Sequence, residues 1–114
     1  MARYYLLIPN VEAEWQAKSE EEKEAVFAVH GQFAELLAER GHTVLKGYGA
    51  ALADPATAVT VRASGITDGP YTEAAEHLAG LYVVESDDRD DLAECCKLLA
   101  KAESAIEIRG VDQS

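Results

Sequence analysis

The stretch from Ser19 to Gly41 limits the fold more than any other part of the chain. Ser19, with Glu22 three residues on, has the pattern of a capping box, in which each side chain satisfies an orphan amide of the other. The acidic run Glu20, Glu21, Glu22 suits the positive end of a helix. Val26, Val29, Phe33, Leu36 and Leu37 then recur at helical spacing. Gly41, after Arg40, is a natural stop. The pattern predicts a helix over residues 20–40 with one apolar stripe. Such a stripe must be buried against a second layer.

Strands supply that layer. Residues 3–8 (RYYLLI) are aromatic and branched, end at Pro9-Asn10, and read as a first strand. Residues 11–18 have no clear period and read as a loop anchored by Trp15. A short strand is expected at 43–46, then irregular chain punctuated by Asp54-Pro55. Residues 57–62 (TAVTVR) alternate, Ser64-Gly65 turns, and Ile66-Thr67 pairs back briefly. After the sharp Asp68-Gly69-Pro70 loop, residues 78–85 (LAGLYVVE) form another strand. Asp87 or Asp88 caps a second helix carrying Leu92, Cys95, Cys96 and Leu99, and residues 105–109 (AIEIR) close the chain as a strand. The order β, α, β, β, α, β predicts a single α+β domain over residues 1–114. Its ferredoxin-like antiparallel sheet has both helices on one face.

The strands carry a further consequence. Tyr4, Leu6 and Ile8 lie on one side of the first strand, but Tyr5 and Leu7 lie on the other. Leu81 and Val83 oppose Tyr82 and Val84 in the same way. With helices on one face only, the second apolar face needs other cover. Sheet-to-sheet pairing of two copies provides it, which predicts a homodimer; cover by the loop 47–56 is the alternative.

Composition excludes several functions. A chain of 114 residues buries roughly 65% of its unfolded surface and needs no metal or disulfide to fold. A net charge of −11 repels phosphate backbones and anionic lipid, so neither nucleic acid nor membrane is an expected partner. No apolar run reaches membrane-spanning length. Cys95 and Cys96 are adjacent, form neither a CxxC motif nor a disulfide framework, and read as small apolar residues in a reducing compartment. The opening residues run straight into a strand pattern without a secretory leader, so the cytoplasm is the expected home. No GxGxxG, P-loop, GxSxG or HExxH motif occurs, and no cofactor is expected.

Residues 67–73 (TDGPYTE), followed by 78–82 (LAGLY), resemble the hallmark of the DGPF branch of the YCII-related family. The opening RYYLLI, the helix ending at Gly41 and the closing IEIRGV are similar to that family's elements as well. The resemblance implies a dimeric α/β barrel, a ferredoxin-like protomer doubled through its sheets. It also implies a site. The family often has a histidine eleven residues before the glycine that ends the first helix, which falls on His30, and its DGP aspartate falls on Asp68. A histidine–aspartate pair has been suggested as catalytic there. Two departures stand out: Tyr71 replaces the phenylalanine, and Ala74-Ala75-Glu76 stands where a lysine is usual.

His30 flanks the apolar stripe of its helix, where a neighbouring carboxylate makes a histidine an acid–base group. The bland alternative is a histidine spanning core and solvent. Asp68 either caps its own turn or also serves the site, on a loop stiffened by Gly69-Pro70. Tyr71, Gly69 and Pro70 are the expected substrate-binding neighbours. His42 is expected to meet the last carbonyls of its helix, and Glu73, Glu76 and His77 lack convincing metal-ligand spacing, so no metal site is expected. The expectation is a small-molecule enzyme of lyase or isomerase type, with His30 as acid or base and Asp68 orienting it. The rival is a non-catalytic dimeric module that binds a ligand or protein in a regulatory accessory role, as the resemblance implies for some members.

Overall fold

A computed structural model describes residues 1–112. It is a mixed α+β fold with three α-helices and an antiparallel sheet that does not close into a barrel. The strands are β1 (Ala2–Val11), β2 (Thr43–Val44), β3 (Ala50–Ala51), β4 (Val59–Arg62), β5 (Gly65–Asp68), β6 (Glu76–Ser86) and β7 (Glu107–Gly110). The helices are α1 (Glu12–Gln16), α2 (Glu20–Glu39) and α3 (Arg89–Leu99). The main sheet runs β2-β6-β1-β7, and β3 also pairs with β6. Each of these pairings is antiparallel.

Local chemistry accounts for the element ends. The Glu22 amide donates to Ser19 Oγ at 3.1 Å and the Ser19 amide to Glu22 Oε1 at 2.9 Å, completing the capping box of α2. The Ser19 amide, and after it the Ser19 hydroxyl, hold the Glu22 carboxyl below its usual range. The Asp91 amide donates to Asp88 Oδ1 at 3.0 Å, so Asp88 rather than Asp87 caps α3. Phe33 and Leu37 of α2 and Leu92, Cys95 and Leu99 of α3 pack with Leu6, Ile8 and Val84 of the sheet. Full burial of each large apolar side chain contributes about 1.5–3 kcal/mol. Both long helices therefore cover the same face. Tyr5, on the other face, remains 38% exposed.

Several expectations are corrected. The first strand does not stop at Pro9; it continues to Val11 because a register shift between Ile8 and Pro9 absorbs the missing amide. Residues 12–16 form α1 rather than loop, and Trp15 meets the Phe27 ring edge-on at 5.7 Å. The stretch after Gly47 contributes β3, since Gly49 lets this segment lie against the β6 backbone. The segments around 57–67 do form a hairpin, but β4 and β5 make a two-stranded sheet of their own. That hairpin exposes Val59, Val61 and Ile66, each by 60% or more. The radius of gyration is 15.6 Å, above the roughly 13 Å of a compact chain this long, as a separate hairpin would produce. No described helix is long and apolar enough to cross a membrane.

Candidate active site

A cavity of about 660 Å³ opens between α1, α2 and the β3–β6 end of the sheet. Its walls are mainly apolar, with Val26, Phe27, Leu52 and Leu81 among them. Gly80, opposite Ile8 in the register, brings no side chain into this space. The ionisable groups on its lining are Glu12, His30, Lys46, Tyr82 and Glu103.

Three of these form a chain. His30 projects from the middle of α2, Tyr82 from β6, and Glu103 from the turn after α3. His30 Nδ1 lies 2.6 Å from the Tyr82 hydroxyl, and Nε2 lies 2.9 Å from Glu103 Oε1. The Glu103 amide donates to the Leu99 carbonyl at 3.2 Å, which ties its turn to the end of α3. The side chains of His30 and Glu103 are 24% and 12% exposed. An ionised carboxylate only accepts, so Glu103 places the neutral imidazole proton on Nε2. Nδ1 then accepts from the Tyr82 hydroxyl. Burial pushes the Tyr82 phenol up, and the Glu103 carboxylate adds to that.

The residues expected from sequence divide sharply. His30 lies on the cavity. Asp68 ends β5, is exposed, and pairs with Val59 in the separate hairpin; it does not line the cavity. Among the described residues no hydrogen bond or ion pair joins His30 to Asp68, and both ring nitrogens of His30 are taken by other groups. Gly69 and Pro70 are half-buried just past the end of β5, at the open end of the hairpin, where the Gly69 carbonyl accepts from Thr60 Oγ1 at 2.8 Å. Tyr71 is 78% exposed and lines no part of the cavity. Glu103 gave no sequence signal: it is 73 residues from His30 and sits in no motif. Tyr82 reads in sequence as a packing residue, and its ring does pack on Phe33 at 5.8 Å.

His42 meets the expectation through its backbone and departs from it through its ring. Its backbone amide meets the Leu37 carbonyl, but its ring bonds Ser86 and Asp91. Glu76 accepts from the Ser104 hydroxyl at 3.0 Å rather than joining His77.

Residues 2–112 match the YCII-related domain. The chain belongs to that family. Comparison with curated proteins finds no match. The YCII-related match spans the cavity and the hairpin alike, so neither can be set aside as an addition to the domain.

Proposed function

We propose that this YCII-related domain is an acid–base enzyme of lyase or isomerase type that acts on a small molecule in the His30 cavity. The observation that carries this reading is the His30 ring clamped between Tyr82 and Glu103 on a mainly apolar wall. Glu103 takes the orienting role expected of Asp68. The Tyr82 hydroxyl meets the substrate. As it accepts a proton from a carbon acid, its own proton passes to His30 Nδ1, and the Glu103 carboxylate stabilises the resulting imidazolium. The phenol never needs to ionise, which its upward shift would oppose. Reversal returns the proton to a different atom of the substrate in an isomerase, or to the leaving group in a lyase.

The test is solvent exchange. Small enolisable carbonyl compounds are incubated with the protein in D2O and followed by proton NMR. Catalysed deuterium uptake that falls about 100-fold or more in Tyr82→Phe and His30→Gln is the expected result. Compounds that bind the cavity and shift Val26 and Leu81 resonances without any exchange would overturn the enzyme and favour the rival, a non-catalytic binding module with a regulatory accessory role.

The same reading includes a homodimer. The strand order, with both long helices on one face, suits a ferredoxin-like protomer. Tyr5, Leu7 and Val111 on the open face, and Val59, Val61 and Ile66 on the hairpin, are apolar groups that a second copy would cover. The TDGPYTE segment supports the DGPF branch. The two free cysteines fit a reducing cytoplasm. Light scattering should give twice the chain mass, and Tyr5→Asp should halve it.

A further inference from the structure

A second cluster of chemically competent side chains lies outside the cavity. His42 stands just beyond the glycine that ends α2, and Asp91 and Cys95 are one turn apart on α3. His42 Nε2 is 2.8 Å from Asp91 Oδ2, and Cys95 Sγ is 4.0 Å from the same oxygen. All three atoms lie within 4.8 Å of one another. A triangle of those dimensions contains a point about 2.4 Å or less from every corner. Zinc sits roughly 2.0–2.3 Å from nitrogen, oxygen and sulfur ligands.

We infer that His42 Nε2, Asp91 Oδ2 and Cys95 Sγ form a binding site for one zinc-like divalent cation, with water in the fourth position. The mixed nitrogen, oxygen and sulfur set selects a borderline-soft ion over magnesium or calcium. The surroundings have the features of an outer shell. His42 Nδ1 faces Ser86 Oγ at 2.8 Å, and that oxygen also accepts from the Asp88 amide at 2.9 Å. A ligating imidazole donates its second N–H to such an oxygen. Arg40 holds Asp91 Oδ1 and so turns Oδ2 toward the cluster.

Charge and access are consistent with this assignment. The carboxylate and a Cys95 thiolate together cancel a dication, and the extra positive charge on Arg40 is half-exposed to solvent. The His42 side chain is 3% exposed and that of Asp91 19%, so the cation enters from the Asp91 side. Binding moves two protons. The Cys95 thiol proton leaves to solvent as the Sγ–metal bond forms. The imidazole proton shifts from Nε2 to Nδ1, where Ser86 Oγ accepts it once its own hydroxyl proton has turned away. No residue of this cluster lines the His30 cavity, so the two assignments stand or fall separately.

The full chain, reduced and freed of metal by a chelator, is titrated with cobalt(II) chloride. Saturation at one equivalent with a thiolate-to-cobalt band in the near ultraviolet, displaced by zinc chloride, is expected. Cys95→Ser should abolish the band and Cys96→Ser should keep it. Ser86→Ala should weaken binding about tenfold. The wild-type titration depends on no variant. A folded wild-type protein that develops no thiolate band overturns the site, as does a band that survives Cys95→Ser.

Discussion

Replacing Gly49 and Gly31 by alanine in turn should move stability in opposite directions. A Cβ on Gly49 would lie 2.5 Å from the Leu81 carbonyl oxygen and 3.2 Å from the Tyr82 Cα. Both are backbone atoms of β6, a strand bonded on both edges, so neither can yield. The β3 segment must instead lift away. Its pairing of Ala50 and Ala51 with Leu81 and Gly80 is then lost, with the nearby Leu52 amide bond to the Ala79 carbonyl at 2.8 Å. Losing two or so such bonds at about 1 kcal/mol each costs about 2 kcal/mol. For a chain of this size that is a fall in Tm of about 8 °C. Gly31 lies in the interior of α2, and a Cβ there meets nothing within 4 Å. Alanine at this position should add about 0.5–1 kcal/mol, because it restricts the unfolded chain more than glycine does. Urea unfolding of both variants measures the gap, and amide exchange at Ala50 to Leu52 should quicken in Gly49→Ala alone. Two variants of equal stability would show that β3 does not approach β6 as described. Gly49, Ala50 and Leu52 also line the cavity, so the same variant should loosen any ligand bound there.

Other outcomes follow from the packing and the caps. Ser19→Ala should cost about 1 kcal/mol in urea unfolding. The other half of the capping box, the Ser19 amide on the Glu22 carboxylate, should depend on pH. The folded Glu22 carboxyl lies below its ordinary value of 4.5, so its contribution is full above that value and disappears as pH falls through the lowered one. The wild-type and Glu22→Gln stability curves should therefore converge in acid, and parallel curves would refute the Ser19 amide bond to the Glu22 carboxylate. Leu37→Ala, at a position with no solvent exposure, should cost about 2–5 kcal/mol; a loss under 1 kcal/mol would deny it a place in the core. Burial pushes the Cys96 thiol up to about 11, with the adjacent Cys95 adding to it. Mass spectrometry after iodoacetamide at pH 8 should find Cys96 unmodified in the native chain and alkylated in urea. Rapid native labelling would contradict its burial.

Much of the fold is legible in the residues because its signals are local. Ser19, Glu22 and Gly41 mark α2 through contacts spanning a few residues, and the strand alternation of residues 3–8 needs only its own period. The misread segments are those where a distant neighbour decides. Residues 50–51 carry no strand signal of their own; they become β3 because Gly49 allows the β6 backbone to come close. Pro9 looks like a terminator until the bulge beside it is seen. The candidate site was half legible. His30 stands out on its helix, but its partners are 52 and 73 residues away, and the exposed Asp68 belongs to a hairpin that the main sheet does not incorporate.

Taken alone, the order of amino acids determined the α+β class, the bounds of α2, the two-faced apolar strands, the acidic surface and the histidine to examine. Each rests on composition or on a repeat a few residues long. Tertiary packing alone decided that Glu103 and Tyr82 hold His30, and that His42, Asp91 and Cys95 converge between the two long helices. These groups meet because a sheet and two helices bury their apolar faces together. The polar side chains that converge as a result leave no regular spacing along the chain.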